Sequence, residues 1–189
     1  EAEVLAQAGV KDILIANQIV GQSKIQRLVN MAAYTQVMVA VDTAEMAAEL
    51  AAAAQAKGLR LRVIIEVDNG MNRCGVAPGQ PAVELARRIV AHPSLRFEGM
   101  MGYEGHAVMI PDMDERRRVA EGAMAELVAT RDAVVNAGIP VRIVSAGGTG
   151  TYAITGKYPG ITEVEAGSYL TMDTRYHDDA GMAEFGCAL

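Results

Sequence analysis

The chain has 189 residues and 20.0 kDa, a formal net charge of -6 and a sequence pI of about 5.1. This acidic balance gives a nucleic acid or an anionic membrane surface no electrostatic attraction, and no apolar run reaches the length of a membrane span. The length is enough to bury a core, so we expect one domain or most of one.

The two cysteines bear on the cellular compartment of the protein, and the two ends of the chain bear on its extent. Cys74 and Cys187 share no metal-binding or redox spacing, which favours a reducing cytoplasm over a secreted disulfide scaffold. The sequence begins inside a predicted helix, Glu1 to Ala8, and stops at "EFGCAL" without a terminating signal. We therefore expect an internal piece of a longer protein.

Apolar, β-branched runs alternate along the chain with segments of helical period. This alternation is typical of a parallel sheet covered by helices. Six βα units without a G-x-G-x-x-G motif favour part of a (β/α)₈ barrel, and an open doubly wound sheet is the alternative. In chain order, the strands are predicted at Ile13–Ala16, Val37–Val41, Val63–Val67, Phe97–Met101, Val141–Val144 and Glu163–Glu165. The helices after the first are predicted at Ser23–Tyr34, Thr43–Ala56, Pro81–Ala91 and Met113–Ala137.

The unusual polar and glycine-rich stretches directly follow the predicted strands. In a barrel, the loops after the strands share one face, and active sites are built there. We therefore expect these stretches to meet at one end of the barrel. They are Asn17 and Gln18, Asp42, and residues 68–75, 103–106, 145–151 and 166–169.

The stretch "SAGGTGT", residues 145–151, puts three glycines and two threonines after an apolar run. Glycine permits positive φ and close approach to the backbone, and a row of free N–H groups can hold an anion. The stretch has neither the lysine of a Walker loop nor the spacing of a dinucleotide motif. A phosphate cradle and a tight turn after a buried strand both fit these residues.

One motif carries a resemblance to a known family. "DNGMNRCGV", residues 68–76, resembles a signature of alanine-racemase-like, fold-type III enzymes, which use pyridoxal 5'-phosphate. Together with "ILIANQIVG", "MGYEGH", "VSAGGTGTY" and "EAGSYLTMD", the chain is similar to the D-threonine aldolase and D-serine dehydratase branch of that fold. The resemblance implies a partial (β/α)₈ TIM barrel like the alanine racemase N-terminal domain, comprising barrel strands three to eight.

The resemblance also assigns residues to a pyridoxal 5'-phosphate site. The glycine-threonine loop would hold the cofactor phosphate by backbone N–H groups that converge on one point, and the "GSY" loop would close the other side. The positions concerned are Ser145, Gly147, Gly148, Thr149, Gly150, Gly167, Ser168 and Tyr169.

Four further residues receive catalytic or cofactor roles from the resemblance. Arg73 would approach the phenolic edge of the cofactor, and Tyr103 would stack on its ring. His106 would support Tyr103 or act as a general base. Glu165 stands where racemases carry arginine and ornithine-decarboxylase-like members carry glutamate; a carboxylate there would keep the pyridine nitrogen protonated. An ordinary position at the barrel rim is the alternative for Glu165.

Several other charged residues have weaker cases. His92 is interpreted as a helix-terminal histidine, which the helix dipole favours. His177 beside Asp178 and Asp179 fits a metal cluster or a solvated charge run. The run Asp114–Arg118 is expected on the exposed face of its helix.

Two parts of the family's machinery are expected outside this chain. The family's Schiff-base lysine lies on barrel strand one, and Lys11, Lys24, Lys57 and Lys157 match no family position. A divalent metal is bound in this branch by a C-terminal β-domain that we also expect to be absent, so we assign no metal ligand here. We therefore expect these 189 residues alone to be inactive.

The resemblance implies a lyase with a small-molecule D-β-hydroxy amino acid as substrate. A D-threonine aldolase, which cleaves Cα–Cβ to give glycine and an aldehyde, is favoured. The alternatives are a D-serine dehydratase or 3-hydroxy-D-aspartate lyase, a non-catalytic cofactor-binding protein, and a racemase, for which arginine would be expected in place of Glu165. Monomer and homodimer both remain open.

Overall fold

The computed structural model describes residues 1–188 as six strands and six α-helices. The strands are β1 (Asp12–Gln18), β2 (Gln36–Val41), β3 (Leu61–Glu66), β4 (Leu95–Gly102), β5 (Ile143–Ala146) and β6 (Glu163–Val164). The helices are α1 (Ala2–Gln7), α2 (Gln22–Met31), α3 (Ala44–Ala56), α4 (Gln80–Val90), α5 (Met113–Asn136) and α6 (Tyr152–Thr155). None of these described helices combines the length and the apolar character needed to cross a membrane.

The sheet has the order and direction of a barrel wall. Its hydrogen-bonded order is β1-β2-β3-β4-β5-β6, and every neighbouring pair is parallel. A doubly wound sheet would reverse its strand order about a switch point. The predicted barrel-type sheet is therefore confirmed, and the doubly wound alternative is wrong.

The fifth strand lies two residues later than its sequence predicts. It pairs with β4 from Ile143 opposite Gly99 to Ala146 opposite Gly102. The apolar Val141 suggested an earlier start, but this side chain packs against the helix-covered core before the ladder begins. The four-residue helix α6 was not predicted, because a single turn carries too little periodicity to be recognised.

Alternate residues of the strands face two different environments. The positions of β2 and β3 that face the helices join the main core, whereas a separate cluster of Met38, Ala40, Ile64 and Met101 lies on the opposite, inner face of the sheet. The helix-facing residues are Val37, Val39, Val41, Leu61, Val63 and Ile65. The inner apolar cluster separates the two ends of the barrel interior.

An ionic layer centred on Glu98 lies near the amino ends of the strands. Glu98 is 2% exposed, and its Oε1 lies 3.0 Å from Arg62 Nε and 2.8 Å from Arg96 Nε. Its Oε2 lies 2.6 Å from Arg142 Nη2. Arg62 also contacts Asp12, with 2.6 Å between Nη1 and Oδ1. Paired charges thus line this end of the interior.

The prediction that the run Asp114–Arg118 is fully exposed is wrong at Arg116. This side chain is 1% exposed; its Nε donates to the Ile110 carbonyl at 2.8 Å, and its Nη1 donates to the Ala180 carbonyl at 2.7 Å. Arg116 lies one turn before the buried Ala120 of α5 and so shares its inward face. Arg116 therefore ties the C-terminal segment of the described chain to the barrel.

Replacing Glu98 by alanine should leave three arginines around a buried position without their shared carboxylate. Arg96 and Arg142 are about half exposed and Arg62 keeps Asp12, so the loss corresponds to the hydrogen bonds of one buried charged group, about 1.5–3 kcal/mol. Urea unfolding should show a loss of that order for Glu98→Ala. The exposed Glu49→Ala in α3 is the control, with an expected change below about 0.5 kcal/mol. Equal, small losses in the two variants would contradict the structural role of the ionic layer.

Candidate active site

Most of the predicted site residues meet around one cavity at the carboxyl ends of the strands. Its volume is about 240 Å³, and Ala16, Met101 and Tyr176 complete its lining. A larger cavity of about 900 Å³ lies at the amino ends of the strands, but none of the predicted site residues lines it. We therefore take the smaller cavity as the candidate site. The predicted residues that line it are Arg73, Tyr103, Gly147, Gly148, Thr149, Glu165, Gly167 and Ser168.

The glycine-threonine loop is organised by hydrogen bonds within the protein. Gly147 has a φ of 81°, which glycine adopts without strain, and its N–H donates to Glu104 Oε2 at 3.2 Å. The Gly148 N–H donates to Thr151 Oγ1 at 3.3 Å. The prediction that all of these amides converge on one external point is therefore corrected for Gly147 and Gly148. Gly150 packs against Val108, since an added Cβ would lie 2.4 Å from Val108 Cγ1.

Thr149 joins the two loops that were predicted to enclose a phosphate. Its Oγ1 accepts a hydrogen bond from the Tyr169 N–H at 3.1 Å. The Tyr169 side chain itself is 42% exposed and lies against Phe185, with 5.7 Å between ring centroids. Tyr169 thus contributes its backbone to the site, while Gly167 and Ser168 line the cavity.

Glu104 is a residue of this site that the sequence analysis missed. It is fully buried, and its Oε1 accepts hydrogen bonds from Thr151 Oγ1 at 2.6 Å and Thr155 Oγ1 at 2.5 Å. The sequence signal for it is a glutamate at the end of a buried strand, inside the "YEGH" motif.

The Tyr103 ring is held between two glycines. A Cβ on Gly148 would lie 2.9 Å from Tyr103 Cε2, and one on Gly105 would lie 2.4 Å from Cε1. The Arg73 guanidinium lies 5.5 Å from the ring centroid, within the range of a cation–π contact. Burial and the neighbouring Tyr176 phenol raise the pKa of Tyr103, so its hydroxyl keeps its proton at neutral pH.

Arg73 is presented at the rim by a tightly folded loop. Asp68 Oδ1 accepts hydrogen bonds from the Gly70 N–H at 3.2 Å and the Asn72 N–H at 2.9 Å. Asn72 adopts a φ of 54°, a left-handed conformation that asparagine tolerates better than most residues. The Arg73 side chain remains 53% exposed, with Nη2 3.8 Å from Glu66 Oε1.

Glu66 is a second buried carboxylate that the sequence analysis did not assign. It is 4% exposed, its Oε2 accepts from Gln18 Nε2 at 2.5 Å, and its Oε1 accepts from Cys74 Sγ at 2.9 Å. Because these bonds join the ends of β1 and β3, Glu66 fixes the side of the cavity that carries Arg73.

Glu165 has an unsatisfied polar atom in the cavity wall. Among the residues that the structure describes, neither the buried Glu165 Oε1 nor the buried Ser145 Oγ has a hydrogen-bond partner. Burial raises the pKa of Glu165 from its ordinary value of 4.5 to about 7. The nearby Ser145 hydroxyl opposes this change, and the charges of Glu163, Glu66 and Glu104 reinforce it. Glu165 therefore faces the cavity with a carboxyl group that is ready to gain or release a proton near neutral pH.

His106 and His177 do not line the cavity. His106 is exposed and packs against Gly70, where an added Cβ would lie 3.1 Å from its Cε1. His106 thus contacts the loop that carries Arg73. His177 Nδ1 lies 2.6 Å from Asp178 Oδ1, but within residues 1–188 no group of three or more candidate ligands could hold a metal ion.

Comparison with known proteins identifies the family. The chain matches the alanine racemase, N-terminal domain, family over residues 1–175. It belongs to that family. The resemblance inferred from the 68–76 motif is thereby confirmed.

Its relatives include named lyases of D-amino acids. The chain is 35% identical to a 3-hydroxy-D-aspartate aldolase from Paracoccus denitrificans over 96% of its own length and 48% of the relative. It superposes on the crystal structure of D-threonine aldolase from Filomicrobium marinum with a TM-score of 0.93 and 34% identity, covering 99% of this chain and 52% of the other. A D-threo-3-hydroxyaspartate dehydratase from Delftia sp. HT23 gives a TM-score of 0.83 and 26% identity, with 91% and 46% covered. The chain thus spans about half the length of the relatives it matches.

Because its pKa is raised, Glu165 should make the free energy of unfolding depend on pH. The folded protein binds this proton more tightly than the unfolded chain, so unfolding becomes easier as pH rises from about 4.5 and levels off above about 7. Glu165→Gln removes this penalty. Urea titrations should show that the free energy of unfolding of Glu165→Gln, measured relative to the wild type, is roughly 2–3 kcal/mol higher at pH 8 than at pH 5.

The exposed Glu49 on α3, which is not among the charges that act on Glu165, provides the control for this measurement. Glu49→Gln makes the same change in net charge and should follow the pH dependence of the wild type closely. An equal gain in both variants would assign the effect to net charge and would contradict a specific effect of Glu165.

Proposed function

We propose that the protein is a pyridoxal 5'-phosphate-dependent lyase that acts on D-β-hydroxy amino acids and cleaves their Cα–Cβ bond. The observation that carries the proposal is the convergence of Arg73, Tyr103, Glu165 and the loop Gly147–Thr149 on one cavity, in a barrel of the alanine racemase N-terminal domain family. Each of these groups suits a different part of the cofactor.

The residues of the cavity fit the proposed cofactor on both sides. On the side proposed for the phosphate, glycines, Thr149 and Ser168 line the cavity. There is open space beside Gly167, where an added Cβ would meet no described atom within 4 Å. Towards a pyridine ring, the buried Glu165 Oε1 offers a polar atom that is unsatisfied within the described chain, whereas Ser145 does not line the cavity. A buried polar atom without a partner costs free energy, so an incoming hydrogen-bonding group is favoured there.

Pyridoxal 5'-phosphate supplies an electron sink for the pair that is left when a bond at the substrate α-carbon breaks. Glu165 Oε1 would hold a proton against the pyridine nitrogen, which strengthens that sink. The Tyr103 ring gives a flat, half-buried wall for the cofactor, and the exposed Arg73 guanidinium is free to donate towards an anionic oxygen. Thr149 and Ser168 would bind the phosphate through their hydroxyl groups.

Several observations favour an aldolase over the other reactions. The relative at 35% identity is named an aldolase, as is the structure with a TM-score of 0.93, whereas the dehydratase structure is 26% identical. A dehydratase remains the second candidate because it shares the same barrel. Glu165 argues against a racemase, in which the resemblance would place an arginine. We further propose a cytoplasmic protein, in keeping with the free thiols of Cys74 and Cys187.

Product analysis of the purified full-length protein tests the reaction. With pyridoxal 5'-phosphate and a divalent metal, D-threonine or D-threo-3-hydroxyaspartate should yield glycine and an aldehyde, with L-threonine as the stereochemical control. Formation of a 2-keto acid and ammonia would replace the aldolase by a dehydratase. Interconversion of D- and L-threonine would refute the lyase.

Gly148→Ala should impair cofactor retention because the new Cβ would lie 2.9 Å from Tyr103 Cε2 and displace the ring. We expect cofactor affinity, measured by equilibrium dialysis, to fall by at least about tenfold, since a displaced wall loses its fit to the ring. Gly122→Ala on α5 is the matched control, where the Cβ would meet no described atom within 4 Å. Unchanged affinity in Gly148→Ala would refute the assignment of this wall.

A further inference from the structure

We propose that Glu104 is a positioning residue that fixes the glycine-threonine loop against the Tyr103 wall and so sets where the cofactor phosphate sits. The proposal rests on the function proposed above, and it concerns a side chain that does not line the cavity. Glu104 is fully buried between the end of β4 and the loop that follows β5.

The carboxylate collects three hydrogen bonds from one short segment. Gly147 N–H donates to Oε2, and the hydroxyls of Thr151 and Thr155 donate to Oε1. Thr151 Oγ1 also accepts from the Gly148 N–H, and it donates its own proton to Glu104 because an ionised carboxylate can only accept. The carboxylate of Glu104 thus satisfies donors both at the start of the loop and in helix α6, which follows the loop.

Glu104 directly follows Tyr103 in the chain, which links its hydrogen bonds to the wall of the cavity. Tyr103 and Glu104 are adjacent at the end of β4, with Tyr103 in the cavity wall and Glu104 buried behind it. Glu104 holds Gly147, and the Tyr103 ring edge lies against Gly148. The separation between the ring wall and the phosphate loop is therefore fixed from both sides by two consecutive residues.

The carboxylate directs some N–H groups away from the cavity. Because Gly147 and Gly148 donate within the loop, the cup is shaped by the loop's conformation together with the Thr149 and Ser168 side chains. Without Glu104, Gly147 N–H and two threonine hydroxyls would be buried without their acceptor. Such groups re-form bonds with water or with each other, so the loop would open.

The substitution Glu104→Gln separates the hydrogen-bonding role of this side chain from its charge. With its Oε1 towards Gly147 and its Nε2 towards the threonines, a glutamine side chain is compatible with the site because both hydroxyls can rotate to accept. Glu104→Gln should therefore keep the loop closed. The charge of Glu104 contributes to the raised pKa of Glu165, so Glu104→Gln should also move that pKa downwards.

The experiment compares Glu104→Ala, Glu104→Gln and the exposed control Glu49→Ala in the whole protein. Hydrogen exchange of residues 147–156 without cofactor reports the loop itself, and equilibrium dialysis reports pyridoxal 5'-phosphate affinity. We expect Glu104→Ala to speed exchange in this segment and to weaken cofactor binding, each by at least about tenfold. Glu104→Gln should change both by no more than about threefold, while the control matches the wild type.

Thr155→Val serves as a milder probe if Glu104→Ala does not fold. It keeps the carboxylate and removes one of its three donors, so exchange and affinity should change in the same direction by a smaller factor. Steady-state kinetics on D-threonine should then show a lower kcat at saturating cofactor, since the loop positions the cofactor and does not contact the substrate.

Two results would overturn the inference. Unchanged exchange in residues 147–156 of Glu104→Ala, or of Thr155→Val where that variant replaces it, means that Glu104 does not anchor the loop. Faster exchange with cofactor affinity within twofold of the wild type means that the loop does not position the phosphate. If the wild type binds no pyridoxal 5'-phosphate, the proposed function fails, and faster exchange in Glu104→Ala would still support the anchoring of the loop by Glu104.

Discussion

All six strands of the sheet are parallel and follow one another in chain order. Because every strand runs in the same direction, all carboxyl ends and the loops after them lie at one edge of the sheet. The two ends of the interior consequently differ. Glu98 and its arginines line the amino end, an apolar layer around Ile64 and Met101 fills the middle, and the glycine-lined cavity opens at the carboxyl end.

Three carboxylates, of which Glu98 and Glu104 are buried and Glu165 is partly buried, differ in the partners that surround them. Glu98 is neutralised by three arginines, and Glu104 is satisfied by three neutral donors. Glu165 differs because its Oε1 has no partner among residues 1–188 and because burial raises its pKa to about 7. Glu98 joins neighbouring strands, and Glu104 binds the glycine-threonine loop. Glu165 Oε1 is available to bind a ligand.

The sequence predicted the fold well because periodicity and strand-end loops are local signals. The regular runs at Val37–Val41 and Val63–Val67 predict β2 and β3 to within a few residues, and the motif around Arg73 indicates the family. Long-range pairings were harder to predict. Nothing local marks Glu104 as the acceptor for Thr151 and Thr155, and the charge run around Arg116 looked solvated because the Ala180 carbonyl that it binds is distant in sequence.

In the proposed site, Glu165 faces the pyridine nitrogen of bound pyridoxal 5'-phosphate. The ¹⁵N NMR shift of a ring-labelled cofactor bound to the full-length protein at pH 8, in the wild type and in Glu165→Ala, reports this contact. We expect a protonated nitrogen in the wild type and a neutral nitrogen in the variant, because the carboxyl group that holds the proton has been removed. A neutral nitrogen in the wild type, or the same shift in both proteins, would contradict this placement of Glu165.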